Sequence, residues 1–282
     1  MTPLGPSEIS ARRRPGVVLT VTLLRSIAGF CLAFPLASIT LSSGVGLRLE
    51  GDRALFESGG YLLLEVLRVQ GPSLSAALTG LVPLVGVALG FTLACNVALL
   101  VALGWRGRLR LSEWLAHVQS RLPGALLLGA GTSLAQILVV GVGASVAAAV
   151  PESMSKPLAS SVGAVAIWLV AAALAGALGG FGDIAKACLV RHEVRVGEAF
   201  KYATTLLRAR PVRACFGWLP YALVFALAVA GAAWLTERVD VSRPGAWRVA
   251  AVFVLHQSVV LLAVALRAAW FAAALRLSAT AR

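Results

Sequence analysis

The sequence predicts an all-α integral membrane protein with six transmembrane helices, and three observations predict it. The 282 residues are 59% hydrophobic and only 13% charged, whereas soluble domains carry about 25% charged residues. The apolar residues gather in six blocks, each near or above the length of about 20 that a membrane-crossing helix needs. The formal net charge of +13 comes from Lys and Arg at the ends of those blocks. That is the positive-inside pattern of a membrane protein, not a basic face interleaved with aromatic residues, so nucleic acid is excluded as a partner.

The chain reads as a single membrane domain, 1–282. A short polar lead ends in Arg12-Arg13-Arg14-Pro15, and the first span covers about 17–42. It is too long for the apolar core of a signal peptide and Arg25 interrupts it, so the segment reads as an uncleaved span. The loop 43–72 holds two short helical candidates, Asp52 to Glu57 and Tyr61 to Arg68, separated by Gly59-Gly60. They read as interfacial helices or as a cap over the bundle. The second span, about 73–103, contains Pro83 and ends at Trp105; its length suits a tilted or kinked helix.

A basic segment follows, Arg106 to Pro123, with Leu111, Trp114, Leu115, Val118 and Leu122 on one helical face. This predicts an amphipathic helix lying in the membrane interface. The third span is about 124–150, a tight turn runs from Pro151 to Pro157, and the fourth span is about 159–183. A second basic segment, RHEVRVGEAFKYATTLLRARPVR, covers Arg191 to Arg213 and places Val196, Ala199, Phe200, Ala203 and Leu207 together. It predicts a second cytoplasmic interfacial helix. The fifth span is about 214–235 and the sixth about 249–273.

Orientation follows from the cations. With the N-terminus inside, sixteen Lys and Arg residues fall on the cytoplasmic side and seven on the other, while Arg25 and Arg267 lie within spans. The expected localisation is a bacterial-type inner (plasma) membrane, multi-pass, with both termini cytoplasmic. Trp105, Trp218, Trp234, Trp247 and Trp270 fall near span ends, where an aromatic belt forms.

The two basic segments are copies of one pattern. Aligning Arg191 with Arg106 places Arg195 on Arg110 and Glu198 on Glu113. Pro15, Pro123 and Pro211 each open an odd-numbered span, a place that suits Pro because a first-turn N–H has no helical partner. The chain therefore reads as three helical hairpins in parallel repeat, about an axis along the membrane normal. With segments of the type RVGEAFKYA…RARP joining its hairpins, it resembles the six-span membrane domain attached to some bacterial glycerophosphoryl diester phosphodiesterases, and related stand-alone membrane families of unassigned function. The resemblance rests locally on Gly197-Glu198-Ala199 and their flanks. The first copy departs from it, with Ser112-Glu113-Trp114 where small residues are expected. What it implies is a fold and no activity, because no soluble segment is long enough for the phosphodiesterase domain.

Charged residues within spans are costly and mark function or ion pairing. Arg25, Asp183, Lys186 and Arg267 all fall in the cytoplasmic half and form a candidate intramembrane polar cluster. Asn96, Gln136, His256 and Gln257 read as hydrogen-bonding groups between helices, and Gly86/Gly90 and Gly176/Gly180 as close-packing positions. Candidate contacts for anionic lipid headgroups are Arg106, Arg108, Arg110 and Arg121 on one segment, and Arg191, Arg195, Lys201, Arg208, Arg210 and Arg213 on the other.

No catalytic residues, cofactor or metal are expected. HExxH, GxSxG, a phosphate-cradling GxxxxGK[ST] and a paired intramembrane Asp are all missing. Cys31, Cys95, Cys188 and Cys215 form no CxxC pair and read as small hydrophobes. The expected function is a non-enzymatic membrane scaffold or a lipid- or solute-handling component, with the bilayer as partner and protein partners unnamed. The alternative is the permease subunit of an ATP-driven transporter, whose coupling segment GEAFKYATTLLRARP resembles in its Glu-Ala and Pro but not in its Gly or length. An intramembrane enzyme is the third class.

The topology has a direct test. A Cys placed at Ser58 on a Cys-free background is expected to react with an impermeant maleimide from the non-cytoplasmic side. Labelling only from the cytoplasmic side overturns the topology.

Overall fold

The computed structural model describes the backbone of residues 8–42, 61–105, 110–153, 157–239 and 246–280. Within these it describes all side chains except those of 13, 32–33, 35–42, 61–78, 81–82, 150–153, 157–161, 239 and 246. After a 3₁₀ turn at Ala11–Arg13 come α1 (Pro15–Ser42), α2 (Tyr61–Gly104), α3 (Leu111–Ser153) and α4 (Pro157–His192). Then follow α5 (Val196–Ala209), α6 (Pro211–Phe216), α7 (Leu219–Val239) and α8 (Ala246–Ser278). There is no strand among the described residues.

Five stretches are long and apolar enough to cross a membrane: Pro83–Gly104, Leu111–Ala149, Val162–His192, Pro211–Arg238 and Trp247–Ser278, with mean hydropathy from 1.8 to 2.4. Their outward side chains are aliphatic and uncovered, as with Leu127 at 64%, Ile137 at 67% and Leu227 at 73% exposure. So large an apolar surface is stable against lipid and not against water. The chain is an all-α, multi-pass membrane protein. Of the first predicted span, 17–42, the helix α1 is present, and its described side chains are those to Cys31 and Phe34.

The helices overrun several of the predicted boundaries. The expected interfacial helix at Tyr61 to Arg68 continues without a break into the second span, passing through Gly71 and Pro72. The first basic segment likewise joins the third span as α3, through Pro123. A Pro inside a membrane helix is tolerated when neighbouring groups take up the freed carbonyl, so it does not by itself end the element. The fourth span extends to His192, nine residues past Asp183. The fifth divides at Gly217-Trp218 into α6 and α7, with Pro211 in the first turn of α6. The helical candidate at Asp52 to Glu57, Gly59-Gly60 and the loop residues Asp240 and Arg243 lie outside the described residues.

The chain divides into two compact units. One comprises Met1–Val17, Leu93–Leu223 and Ala265–Arg282; the other comprises Val18–Thr92 and Val224–Val264. Within the second, the Ser26 hydroxyl on α1 donates to Gln257 Oε1 on α8 at 2.8 Å, the interhelical role expected of Gln257. Within the first, α3 and α4 pack side by side along their lengths.

Small residues set the α3–α4 register. A Cβ at Gly124 would meet Leu189 at 2.9 Å, one at Gly179 would meet Gln136 Nε2 at 2.7 Å, and one at Gly143 would meet the Ala171 methyl at 2.6 Å. Thr132 lies against Gly182 in the same way. These pairs descend α3 as they climb α4, which defines an antiparallel hairpin. Each contact sets a glycine on one helix against a side chain on the other, so the axes approach closely, as small residues allow in membrane interfaces.

Gly176 and Gly180, expected as a packing pair, receive a side chain rather than a helix. The Trp218 indole lies over both, and a Cβ at Gly180 would meet its Cδ1 at 2.7 Å. Trp218 also donates Nε1–H to the Cys215 carbonyl at 2.6 Å. It therefore packs inward, against α4. Gly176→Ala is expected to cost about 1–3 kcal/mol through overpacking, read as a lower melting temperature in detergent. The added change Trp218→Leu should recover most of that loss, and a strictly additive double mutant would separate the two sites.

Candidate functional site

Asp183 on α4 is the centre of the site. It is 3% exposed and accepts from three side chains. Arg267 on α8 reaches it with two nitrogens, Nη1 to Oδ2 at 2.7 Å and Nη2 to Oδ1 at 2.8 Å. Trp270 donates Nε1–H to Oδ2 at 2.9 Å. Lys186, one turn along α4, donates from Nζ to Oδ1 at 3.3 Å. The two-pronged Arg–carboxylate geometry is the strong form of the ion pair. The Arg267 guanidinium also lies 4.5 Å from the centroid of the Phe271 ring, which adds a cation–π contact.

Sequence spacing explains why these residues meet. Asp183 and Lys186 are three apart and share a face of α4, as do Arg267 and Trp270 on α8. The helices run parallel here. His192, at the end of α4, donates from Nε2 to the Ser278 carbonyl at the end of α8, 3.1 Å away. Asp183 is nine residues before His192 and Arg267 eleven before Ser278, so the charges lie at similar depth.

The group opens onto a polar cavity of about 290 Å³. Its wall includes Asn96 of α2, Thr132, Ser133 and Gln136 of α3, Gly176, Gly179, Gly180, Asp183 and Lys186 of α4, Trp218, and Arg267 of α8. Gln136 uses one amide hydrogen on the Ala175 carbonyl at 2.8 Å, which bridges α3 to α4. The Thr132 hydroxyl donates back to the Leu128 carbonyl at 2.9 Å. The formal charges of Asp183, Lys186 and Arg267 leave the cavity with an excess of one positive charge.

Three of the four expected cluster residues are thus together. Arg25 lies on α1 in the other compact unit and is described apart from them. Trp270, expected in an interfacial belt, is 2% exposed and is part of the charged group. Its spacing of three from Arg267 was the available signal.

The basic segments differ from one another. Arg106 and Arg108 lie outside the described residues. Arg110 faces Glu113 at 3.8 Å with both side chains largely exposed, a pair of small energetic weight. Arg121 reaches Glu193 at 3.4 Å. Glu193 closes α4 with φ of 54°, a conformation that usually selects Gly. The second segment forms α5, a separate helix whose buried stripe is Ala199, Ala203 and Leu206. Phe200, expected within that stripe, is 51% exposed and meets the Phe181 ring edge-on at 5.2 Å. Arg195, Lys201, Arg208, Arg210 and Arg213 are exposed, and Arg191 is half-buried.

Removing the carboxylate charge leaves Lys186 and Arg267 without their counter-ion. Asp183→Asn is expected to destabilise by about 3–5 kcal/mol. Trp270→Phe removes one hydrogen bond to a charged group, about 1.5–3 kcal/mol. Thermal unfolding in detergent should rank Asp183→Asn below Trp270→Phe, and both below wild type; equal melting temperatures for all three would show that the group contributes little.

No protein-family model, no curated protein and no solved structure matches this chain.

Proposed function

We propose that this chain is a non-enzymatic, polytopic inner-membrane protein of bacterial type that holds a polar or amphiphilic ligand within its helices, as a lipid- or solute-handling component rather than a scaffold. The observation that carries the reading is the polar cavity at Asp183, Lys186 and Arg267. Burying charge among apolar helices is expensive, and a scaffold has no use for a polar void beside it.

The proposed architecture is six spans in three parallel hairpins with both termini cytoplasmic, the arrangement of the phosphodiesterase-associated membrane domain that the sequence resembles. Two features support it: the α3–α4 hairpin, and the parallel run of α4 and α8, which hold the fourth and sixth spans. On the cytoplasmic side, Arg195, Lys201, Arg208, Arg210 and Arg213 would face anionic headgroups, with the exposed Phe200, Val212 and Phe216 entering the acyl boundary.

The test is to close the cavity. Ser133 lines it and is exposed, so Ser133→Trp adds bulk without displacing core. Wild-type protein is expected to retain a small molecule through extraction and gel filtration, detected by mass spectrometry, and Ser133→Trp about tenfold less, a loss of about 1.4 kcal/mol. Nothing retained by either protein, or equal retention by both, leaves the scaffold reading in place.

A further inference from the structure

The wall of the polar cavity is charged at one end and neutral at the other. Along α4 it runs from Lys186 to Gly176, ten residues or about 15 Å. Thr132 packs at Gly182 and Gln136 at Gly179. The uncharged Gln136 amide therefore lies toward the Gly176 end, away from Lys186 and the Asp183–Arg267 pair. We propose that the cavity is a binding site for a small organic monocarboxylate, with the carboxylate at Lys186 and Arg267 and a neutral polar end toward Gln136 and Ser133. The proposal rests on the reading that the helices hold a ligand, and it names the class of that ligand.

Lys186 carries the argument. Its side chain is 7% exposed, and among the described residues it makes one hydrogen bond, to Asp183. An ammonium group has three donors, so two are left at the cavity wall, where an underpaired charge is costly. Arg267 lines the same wall and gives Asp183 two N–H donors of the five that a guanidinium carries. Asp183 is the opposite case. Its carboxylate has about four acceptor positions, and Arg267, Trp270 and Lys186 bring four donors to it. The cavity thus has cationic donors to give and little carboxylate to spare. That selects an anion over a cation, and a zwitterion's ammonium would find no carboxylate free.

Charge and size narrow the class. Two cations against one carboxylate leave one positive charge, which a single ligand carboxylate neutralises. A phosphate monoester carries about 1.5 to 2 negative charges at neutral pH and would leave the buried group with an excess of the other sign. The volume of about 290 Å³ lies at the lower end of ligand pockets, about 300–1,000 Å³. It is far above the share of a water molecule, about 30 Å³, so a halide ion would leave most of it empty. The neutral wall suits an organic acid with a second polar group. Gln136 spends one amide hydrogen on the Ala175 carbonyl, which leaves its Oε1 and a second hydrogen, and the Ser133 hydroxyl lines the same space.

The experiment measures binding to the full chain in a neutral detergent by titration calorimetry. The probes are 3-hydroxybutyrate, its neutral amide, the dianion succinate and inorganic phosphate. Wild type is expected to bind 3-hydroxybutyrate about tenfold more tightly than the amide, the scale of one hydrogen bond to a charged group. It should also bind it more tightly than succinate or phosphate. Lys186→Met should remove the preference for carboxylate over amide, and Ser133→Trp should weaken both. Equal binding of carboxylate and amide by wild type, or an unchanged preference in Lys186→Met, overturns the carboxylate assignment. Tighter binding of succinate or phosphate overturns the single charge. The ligand-holding function survives either result if Ser133→Trp still retains less of the molecule that wild type carries. Undiminished 3-hydroxybutyrate binding by Ser133→Trp puts the carboxylate outside the cavity and overturns the site. Should Lys186→Met fail to fold, the wild-type comparison of carboxylate with amide decides alone. If no probe binds, the molecule retained by wild type decides: a monocarboxylate upholds the assignment and any other molecule overturns it. A wild type that binds no probe and retains no molecule overturns both this assignment and the function it rests on.

Discussion

The Asp183 carboxylate is the constraint on which the packing of α4 against α8 depends. Moving an isolated carboxylate out of water costs several kcal/mol even after relaxation. Here two Arg267 nitrogens, the Trp270 indole and Lys186 meet it. Those donors come from α4 and α8, which are distant in sequence, so satisfying one buried charge also sets the depth at which the two helices lie together. The His192 to Ser278 hydrogen bond sets the same register again at the ends of these helices. Two polar contacts along one parallel pair leave little freedom for the helices to slide.

Packing along α3 and α4 works differently. Between helices in lipid the hydrophobic effect gives little net attraction, because lipid tails are as apolar as leucine; close van der Waals approach and interhelical hydrogen bonds take its place. Gly124, Gly143, Gly179 and Gly182 provide that approach, each against a side chain of the partner helix. The Gln136 bond to the Ala175 carbonyl adds a directional contact in the same interface. The polar cavity lies to one side of this interface around Gln136 and the Asp183 group, and Asn96 of α2, Trp218 and Arg267 of α8 complete its wall.

At the His192 end the chain turns through a residue that the backbone does not favour. Glu193 has φ of 54°, a conformation whose steric cost in a residue with a Cβ is about 1 kcal/mol or more. Its carboxylate meets Arg121 of α3, and His192 packs on the Tyr202 ring of α5 with centroids 5.0 Å apart. These contacts hold the start of α5 against the end of α4. The Ala199, Ala203 and Leu206 stripe then seats α5 and turns its cations outward.

The all-α membrane class is legible in the amino-acid sequence, because long apolar runs are a property of composition and order alone. Charges in apolar helices need partners, and on that ground Arg25, Asp183, Lys186 and Arg267 read as one cluster at one end of their spans; the structure joins the last three, and nothing in the spacing of Arg25 told it apart from them. Where the helices stop is not legible in the sequence: α3 runs through Pro123 and α4 runs on to His192, since helix ends in a membrane protein depend on what neighbours satisfy the backbone. The roles of Trp218 and Trp270 come from packing between helices. A tryptophan near a span end can face the interface or the interior, and the choice depends on whether a glycine groove or a buried carboxylate waits across the gap. The cavity belongs to the tertiary structure for the same reason: it is made by residues on different helices whose relative register no single helix encodes.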